Sequence, residues 1–479
     1  MESIWSQSVS LSERPSLERD LKVDVAILGG GLAGVLTAFH LRRQGVDAVV
    51  LEAHRVGSGQ SKNTTAKVTS QHGLIYSRLI DQFGQERARQ YAHANQRAIE
   101  DYRQILQELQ IECEWQECPA YLYSTVDMAP LEQEAEAARN LGIPAELVKK
   151  IELPFAVEGA LRFPGQAKFH PLKFLASVAD KVPIYENTRA IKVEGGRIIT
   201  DRASVLAKYI VFATHFPFVN RPGYYFLRMH QERSYVIALE NAAMLEGMYY
   251  GVDEDGLSFR TADHVLLLGG GNHRTGENSK GGRYDMLRRK AKEFWPHSRE
   301  TAHWSAQDCM TLDGVPYIGP FASGADGWYV ATGFQKWGMT TSMAAARILT
   351  DQITRNKGLD DKIFSPSRFV FSASAQTLAE EGLQAIKGIG RSFLGLPRDK
   401  LDALPSGHGG IVEHGGEKIG VYKNEQGEAY VVSVRCPHLG CQLEWNPDEK
   451  SWDCPCHGSR FDYRGALIDN PSQEGLHHA

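Results

Sequence analysis

The chain has 479 residues, a length that favours two or three domains and permits a large core. A formal net charge of -5 at pH 7 provides no basic field for nucleic acid and no block of like charge for an anionic membrane. No apolar run is long enough to span a bilayer, and the first residues carry no export signal, so we expect a cytoplasmic protein.

The first strong pattern is a strand, a glycine turn, a helix and a second strand. Apolar residues from Val23 to Leu28 predict a buried strand, and a helix is predicted from Leu32 to Arg43. Ala48 to Leu51 form the next strand, which ends at Glu52. This order predicts a βαβ unit with a parallel sheet, preceded by an N-terminal extension over residues 1–22.

The turn of this unit carries a dinucleotide-binding fingerprint. The stretch GGGLAG, Gly29 to Gly34, fits G-x-G-x-x-G, whose glycines allow a tight turn, the approach of a pyrophosphate and close packing of helix on strand. Glu52 is placed to accept hydrogen bonds from ribose hydroxyls and to repel a 2′-phosphate, which disfavours an NADP-type ligand. A later glycine stretch, Leu266 to Gly276, lacks the third glycine, so the sequence predicts one dinucleotide site.

The rest of the chain divides into a long mixed region and a short β-rich region. A strand from Trp328 to Ala331 and a helix from about Thr341 to Ile353 precede a polar stretch that indicates a boundary. We therefore predict one large unit over residues 23–355, a linker with an amphipathic helix over residues 356–396, and a small all-β domain over residues 397–479.

Three further stretches accompany the fingerprint: VGSGQSKNTTAKVTSQHG, YIVFATHFPF and DGVPYIGP…GWYVATGFQKWGMT. With it they resemble the FAD-dependent oxidoreductases of the D-amino-acid oxidase and glycine/sarcosine oxidase type. The resemblance implies an α/β Rossmann-like FAD-binding domain and an interleaved α+β substrate domain, with hydride removal from a C–N bond by the flavin. Fingerprint and resemblance together imply these FAD-binding residues: Gly29, Gly31, Leu32, Ala33, Gly34, Glu52, Ala53, Thr64, Thr65, Ala66, Thr214, Gly333, Gly338, Met339 and Thr340.

Basic residues near the expected flavin ring are the candidates for catalysis: Lys67, His72, His273, Arg274 and Lys336. Lys67 and Lys336 could polarise the flavin or an oxygen intermediate, and Arg274 could bind a substrate carboxylate. For each of them the alternative is a structurally paired or exposed basic residue.

Four of the seven cysteines fall in CPHLGCQLEWNPDEKSWDCPCHGSRFD, Cys436 to Asp462. Within it, C-x-H and C-x-x-H form two hooks with the ligand candidates Cys436, His438, Cys454 and His457. Two thiolates and two imidazoles suit zinc, or a Rieske [2Fe-2S] cluster in which cysteines hold one iron and histidines the other. Zinc sites commonly pair two cysteines in one hook, whereas each hook here supplies one residue of each type, which favours the Rieske cluster.

The wider text CPHLGC…CPCHGS resembles the Rieske proteins of respiratory and photosynthetic cytochrome b complexes. The resemblance implies a disulfide between Cys441 and Cys456 over the cluster. Ser459 keeps one hydrogen-bond donor to the sulfurs, but Phe461 lacks a tyrosine hydroxyl, so we expect a lower potential than in the respiratory proteins. A ring-hydroxylating oxygenase is disfavoured because no close histidine pair with a following Asp is present.

We therefore expect a flavo-iron–sulfur oxidoreductase similar to a bacterial group of fused FAD/Rieske proteins. FAD would take two electrons from an amine or amino acid, and the cluster would pass them singly to an external acceptor, a protein or oxygen. One alternative is an oxidase that uses oxygen, with a cluster that only tunes or stabilises. The other is a non-enzymatic electron-transfer or redox-sensing module.

Overall fold

The computed structural model describes residues 2–355, 362–368 and 404–477. Its helices are α1 (Ile4–Ser8), α2 (Leu32–Arg43), α3 (Tyr76–Phe83), α4 (Gln85–Leu109), α5 (Ala129–Asn140), α6 (Pro171–Ala179), α7 (Arg283–Phe294) and α8 (Gly338–Arg355). Its strands are β1 (Leu21–Leu28), β2 (Ala48–Leu51), β3 (Lys67–Val68), β4 (Gln116–Ser124), β5 (Glu146–Val148), β6 (Gly159–Lys168), β7 (Ile184–Tyr185), β8 (Ala190–Glu194), β9 (Arg197–Thr200), β10 (Ser204–Phe212), β11 (Met229–Glu240), β12 (Met248–Gly251), β13 (Ser258–Ala262), β14 (Val265–Arg274), β15 (Arg299–Thr311), β16 (Tyr317–Pro320), β17 (Trp328–Thr332), β18 (Gly409–His414), β19 (Glu417–Lys423), β20 (Ala429–Ser433), β21 (Glu444–Asn446), β22 (Ser451–Asp453), β23 (Arg460–Asp462) and β24 (Leu467–Asp469). Helix α2 and strand β2 have the predicted limits, whereas β1, β17 and α8 extend the predicted elements by a few residues.

The first sheet carries the glycine fingerprint. Its order is β16-β17-β10-β1-β2-β7, and the β8–β9 hairpin joins it beside β10. Strand β1 is parallel to both neighbours, with Ile27 opposite Val211 on β10 and Val50 on β2. Both faces of such a sheet are covered, which explains why β1 is a continuous apolar run rather than an alternating one. This sheet is the Rossmann-like unit expected from the sequence.

The second sheet is larger and almost entirely antiparallel. Its order is β15-β11-β14-β13-β12-β4-β6-β3, with β5 beside β6, and only the β12–β4 pair is parallel. The chain passes between the two sheets several times, so neither sheet comes from one continuous segment. The interleaved α+β arrangement predicted from the resemblance is therefore confirmed.

The C-terminal region is a small all-β domain, as predicted. It contains the antiparallel sheets β18-β19-β20 and β21-β22-β23-β24. Leu443, Trp452 and Phe461 are fully buried in its core, together with the four clustered cysteines. The core of this domain therefore lies directly against the two hooks.

The N-terminal extension and the described part of the predicted linker both pack onto the large region. Trp5 is buried, and its Nε1 donates to the Thr64 carbonyl oxygen at 2.8 Å. Ile363 and Phe364 join the core of that region, and Arg368 pairs with Asp313 at 2.7 Å. Most of the predicted linker, including its amphipathic helix, lies outside the described residues. Among the described helices, none has the length and apolar composition needed to cross a membrane.

Candidate active site and cluster site

A cavity of about 400 Å³ lies where the two large sheets meet. Its walls come from the carboxyl ends of β1 and β2, the loop after β10, the start of α8 and the middle of β14. Ligands of α/β sheets bind at this edge, beyond the carboxyl ends of parallel strands. The predicted FAD-binding residues that line the cavity are Gly29, Gly31, Leu32, Ala33, Glu52, Ala53, Thr64, Thr65, Thr214, Gly333, Gly338 and Met339.

The other three predicted FAD-binding residues, Gly34, Ala66 and Thr340, do not line the cavity but support its wall. A Cβ at Gly34 would lie 2.0 Å from the carbonyl oxygen of Gly29, so only glycine lets α2 approach β1 this closely. The Thr340 Oγ1 accepts a hydrogen bond from the backbone N–H of Thr69 at 2.9 Å.

The turn before α2 fits a dinucleotide. The N-terminus of α2 opens into the cavity, where a phosphate group would meet backbone N–H groups and the positive end of the helix dipole. Glu52 also faces the cavity, and its carboxylate accepts hydrogen bonds from the N–H groups of Gly30 (2.6 Å) and His54 (2.8 Å). Burial raises the pKa of Glu52. The residues present therefore fit the FAD expected from the resemblance.

Two residues that no sequence pattern identified hold the loop over residues 64–66. Arg260 is buried, and its Nη1 donates to the carbonyl oxygens of Thr65 (2.7 Å) and Ala66 (2.6 Å). Trp5 donates to Thr64 from the other side, and the guanidinium carbon of Arg260 lies 5.3 Å from the centre of its ring. These residues have no local signal because their partners are far away in the sequence.

Of the basic candidates for catalysis, Lys67 lies in the cavity wall. Its Nζ donates to the Tyr249 carbonyl oxygen at 3.1 Å and to the Ser258 hydroxyl. Burial, followed by the nearby positive charge of Arg260, lowers the pKa of Lys67 to about 7. A large part of this lysine is therefore neutral near pH 7 and can accept a proton.

Lys336 also lines the cavity, but its surroundings are different. Its Nζ lies 3.0 Å from a Glu232 carboxylate oxygen and 3.1 Å from one of Asp308. Burial alone would lower the pKa of Lys336, but the two carboxylates raise it above its ordinary value. Lys336 is thus a fixed positive charge that cannot serve as a base.

The other basic candidates, His72, His273 and Arg274, are not brought into the cavity. His72 is buried behind Trp337, with its ring stacked at 4.9 Å and bonded to Tyr91 and Thr69. His273 Nε2 lies 2.9 Å from the Tyr235 hydroxyl oxygen.

Arg274 contacts the C-terminal domain rather than the flavin site. Its Nε donates to the Pro455 carbonyl oxygen at 3.1 Å, and its Nη2 to that of Cys456 at 3.2 Å. The reason is its position on β14, where Gly270 and Asn272 line the cavity from one face. Arg274 lies two residues farther on, about 7 Å along the strand and past the cavity edge.

The cluster site is built from two loops, residues 436–441 (the first cluster loop) and residues 454–459 (the second cluster loop). The predicted ligands converge there: the thiols of Cys436 and Cys454 share a hydrogen bond, and the rings of His438 and His457 have centres 5.0 Å apart. Cys441 and Cys456 form the predicted disulfide, with Cα atoms 6.6 Å apart.

His438 provides a test of whether this site fits a metal cluster. Its Nε2 lies 2.9 Å from Asn220 Oδ1, which can only accept, so Nε2 carries the proton. Its Nδ1 is buried without a hydrogen-bond partner among the described residues. A buried nitrogen lone pair is costly unless something binds it, and an imidazole oriented by its other nitrogen is the usual metal ligand. The residues fit a cluster held by two cysteines and two histidines.

The surroundings of the sulfurs agree with the expectation from the Rieske resemblance. The Ser459 hydroxyl contacts the Cys436 sulfur, as predicted for the retained donor. Phe461 is fully buried in the same core cluster as Cys436 and Cys454 and brings no hydroxyl to it.

The second cluster loop is bonded to the wall of the cavity. Gln307 lines the cavity, and its Nε2 donates to the Gly458 carbonyl oxygen at 2.7 Å. Gln231 donates from its Nε2 to the His457 carbonyl oxygen at 2.8 Å. Both glutamines lie on the second large sheet, so one layer of side chains separates the cavity from a ligand of the cluster site.

A buried ionic network joins the same two regions. Glu449, in the turn between β21 and β22, lies 2.6 Å from Arg233 on β11 and 2.5 Å from Arg460 on β23. Arg460 also reaches Asp453 and Asp469, each at 3.0 Å. Burial alone would raise the pKa of Glu449, but the two guanidinium groups hold it well below its ordinary value. The position of the C-terminal domain is therefore fixed by paired charges.

Comparison with known proteins agrees with both sites. The family model FAD dependent oxidoreductase matches residues 24–352, and the model Rieske [2Fe-2S] domain matches residues 397–478. The Rieske 2Fe-2S iron-sulfur protein YhfW of Bacillus subtilis (strain 168) is 36% identical over 492 residues, covering 99% of this chain and 97% of that protein.

Two more distant proteins match the large region. The gamma-glutamylputrescine oxidoreductase of Escherichia coli (strain K12) is 25% identical over 224 residues, or 41% of this chain and 50% of that protein. The crystal structure of glycine oxidase from Geobacillus kaustophilus covers 73% of this chain and 100% of its own, with a TM-score of 0.62 and 20% identity, which shows a shared fold. The chain therefore belongs to the FAD dependent oxidoreductase family, and it is an FAD-binding oxidoreductase with a C-terminal Rieske [2Fe-2S] domain.

Proposed function

We propose that this oxidoreductase oxidises a small amine or amino acid and passes the electrons through its Rieske cluster to an external acceptor. The observation that carries the proposal is the contact between Gln307 in the cavity wall and Gly458 in the second cluster loop. It brings the two cofactor sites together within one chain, without a partner protein between them.

Lys67 supports an amine as the substrate. Bound FAD would supply an acceptor for the hydride of the C–H bond next to the amine nitrogen, and the nitrogen must be neutral so that its lone pair can form the C=N bond. With its pKa lowered to about 7, Lys67 can take the proton of a substrate ammonium group at neutral pH. Lys336 stays charged between Glu232 and Asp308, so the two cavity lysines have different roles.

The names of the related proteins point to the same substrate class. One is a gamma-glutamylputrescine oxidoreductase and another a glycine oxidase, and both names contain an amine or an amino acid. The named substrates are those of the related proteins. For this chain they support only an amine or amino acid as the class of substrate.

The proposal is tested by anaerobic mixing with a panel of primary amines, secondary amines and amino acids. Flavin absorbance reports the first step, and the electron paramagnetic resonance signal of the reduced cluster reports the second. We expect one class to bleach the flavin and the cluster signal to follow. If dithionite reduces both cofactors but no panel member does, the substrate class is wrong. A reduced flavin beside a cluster that stays oxidised would instead favour the oxygen-using oxidase.

The role of Lys67 is tested by the pH dependence of flavin reduction. The rate should rise as pH increases through about 7, because Lys67 then loses its proton and becomes a base. Lys67→Met should be slow at every pH and lack this step. Lys62→Met is the matched control, since Lys62 lies nearby in the turn at Gln60–Lys62 but does not line the cavity. An unchanged pH step in Lys67→Met would exclude Lys67 as the base.

A further inference from the structure

The flavin cavity is not closed by the oxidoreductase region alone. Residues 467–473 of the Rieske domain, here called the closing segment, form part of its wall. The closing-segment residues that line the cavity are Leu467, Ile468, Asp469, Asn470, Ser472 and Gln473. In the sequence they follow the fingerprint turn by more than 400 residues.

Asn470 makes the firmest contact between the closing segment and the flavin site. Its Nδ2 donates to the Thr214 carbonyl oxygen at 3.0 Å and to the Phe216 carbonyl oxygen at 2.6 Å. These carbonyl groups belong to the loop after β10, which places Thr214 and His215 in the cavity wall. One side-chain amide thus fixes the path of a loop that faces the cofactor.

Asp469 links the cavity to the ionic network. Its Oδ1 accepts from Gln60 Nε2 at 3.0 Å, and Gln60 lies in the cavity wall. Its Oδ2 lies 3.0 Å from Arg460, which is buried next to Glu449. The closing segment is therefore held from its Rieske side by buried charges and has little freedom to leave the cavity.

The closing segment is also attached to the second cluster loop. Gln231 donates from its Nε2 to the carbonyl oxygens of both Asn470 (3.0 Å) and His457 (2.8 Å). The backbone N–H of Ser472 donates to the Ser459 hydroxyl oxygen at 3.0 Å. The same short segment therefore contacts the FAD cavity on one side and the cluster site on the other.

We propose that the closing segment is a working part of the FAD site and that Asn470 is its positioning residue, so that firm binding of FAD requires the Rieske domain. The Asn470 amide joins the closing segment to two carbonyl groups of the loop after β10, and six residues of the segment line the cavity. The proposal depends only on FAD occupying the cavity and not on the substrate or the electron acceptor.

The first test compares Asn470→Asp, Asn470→Ala and the control Asn424→Ala in the full-length protein. Aspartate has the shape of asparagine but cannot donate, and it places a carboxylate against two carbonyl oxygens. Asn424 belongs to the same domain, and among the described residues its side chain bonds to Gln426 and Glu428, within its own turn. Of these two asparagines, Asn470 is the one that bonds to the loop in the cavity wall.

We expect the dissociation constant of FAD to rise at least about tenfold in Asn470→Asp and less in Asn470→Ala, because the loop after β10 loses both bonds to the closing segment and the aspartate also faces two carbonyl oxygens. Iron and labile sulfide should stay near the wild-type content in each variant, and Asn424→Ala should keep FAD. Wild-type FAD affinity in both Asn470 variants, with iron retained, would overturn the proposal.

The second test uses the unaltered protein and hydrogen–deuterium exchange. FAD is removed by dialysis and then added back, and exchange is followed in the closing segment and in the distal strands β18 to β20. We expect FAD to protect residues 467–473 and to leave the distal strands unchanged. Equal exchange of the closing segment with and without FAD would overturn the proposal, whatever the variants show.

Discussion

The two cluster loops have the same local structure in different surroundings. In the first loop, the backbone N–H of Gly440 donates to the Cys436 carbonyl oxygen at 2.9 Å. In the second loop, the N–H of Gly458 donates to that of Cys454 at the same distance. Both glycines adopt left-handed conformations, with φ of 77° and 83°. As pieces of chain, the loops are near copies of each other.

The two loops differ in the residues that surround them. The carbonyl oxygens of the second loop accept hydrogen bonds from Gln231, Gln307 and Arg274 of the oxidoreductase region. In the first loop, His438 Nε2 donates to Asn220 Oδ1 of that region at 2.9 Å, but Leu439 is 45% exposed, whereas His457 of the second loop is 7% exposed. The comparison shows that the two loops are distinguished by the residues around them and not by the motif itself.

The largest expected effect comes from removing a ligand of the second loop. His457→Ala should lose the cluster, because an iron loses one of its ligands, while the backbone bond from Gln231 remains. Iron content, the cluster signal and turnover with one-electron acceptors should all collapse, while anaerobic flavin reduction stays near its wild-type rate. His414→Ala, in the exposed β18–β19 hairpin, is the control and should change none of these. Unaltered turnover without the cluster would end the relay hypothesis.

Breaking the buried ionic network should separate the stabilities of the two regions. Glu449→Gln leaves Arg233 and Arg460 without their shared carboxylate, and removing one partner of a buried pair costs about 3–5 kcal/mol. Chemical denaturation, followed by flavin and cluster absorbance, should then show two transitions. Glu413→Gln, at an exposed position of the same domain, serves as the control. A single transition at the wild-type midpoint would contradict the proposed coupling.

The same carboxylate gives a pH dependence of stability. Because the pKa of Glu449 is lowered from 4.5 to about 2 by Arg233 and Arg460, its contribution is present above pH 4.5 and is lost as pH falls toward 2. The free energy of unfolding of the wild-type protein should fall in this window. Glu449→Gln should lack this part of the dependence, which acid titration of both proteins can measure.

A smaller difference is expected between equivalent glycines of the two loops. A Cβ at Gly458 would lie 2.6 Å from the Cβ of Gln231, whereas a Cβ at Gly440 would meet nothing within 4 Å. Gly440→Ala should cost only backbone strain, about 1 kcal/mol, and Gly458→Ala about 1–3 kcal/mol more through overpacking. Unfolding free energies measure the difference, and slower cluster reduction is expected in Gly458→Ala alone. Equal costs would show that the tight contact with Gln231 relaxes freely.

The smallest expected effect concerns the potential of the cluster. Phe461→Tyr adds a hydroxyl in the core that holds Cys436 and Cys454. A new hydrogen bond to a sulfur worth about 1 kcal/mol would raise the potential by about 40 mV for one electron. Tyr463→Phe changes a hydroxyl among the aromatic rings of Tyr422 and Tyr430 and is the control. A redox titration with an unchanged or lower midpoint would show that the hydroxyl points elsewhere.

Much of both cofactor sites could be predicted because their chemistry depends on residues close in sequence. The spacing of Gly29, Gly31 and Gly34 is set by one turn and the first turn of one helix, so the sequence contains the whole motif. The four cluster ligands likewise fall in two short loops. Lys67 lies in the cavity wall because it follows the recognised loop over residues 64–66 directly.

Two candidates lie outside the cavity, and their position depends on the direction of a strand rather than on the spacing of residues in a motif. Arg274 and His273 follow a glycine-rich strand that does line the cavity, but the strand runs past the cavity edge before it reaches them. A single sequence does not tell how many residues of this strand lie along the cavity, nor how the second sheet is oriented.

The sequence by itself determined the fingerprint turn, the cluster loops, the disulfide partners suggested by their resemblance, and the two kinds of domain. Only the tertiary structure decided that Asn470 and Gln307 connect the two cofactor sites, that Arg274 holds a cluster loop, and that Arg260 supports the flavin loop. The physical reason is that each of these side chains bonds to a backbone carbonyl group distant in the chain. Every residue except the last offers such a carbonyl, so its partner leaves no mark on the local sequence.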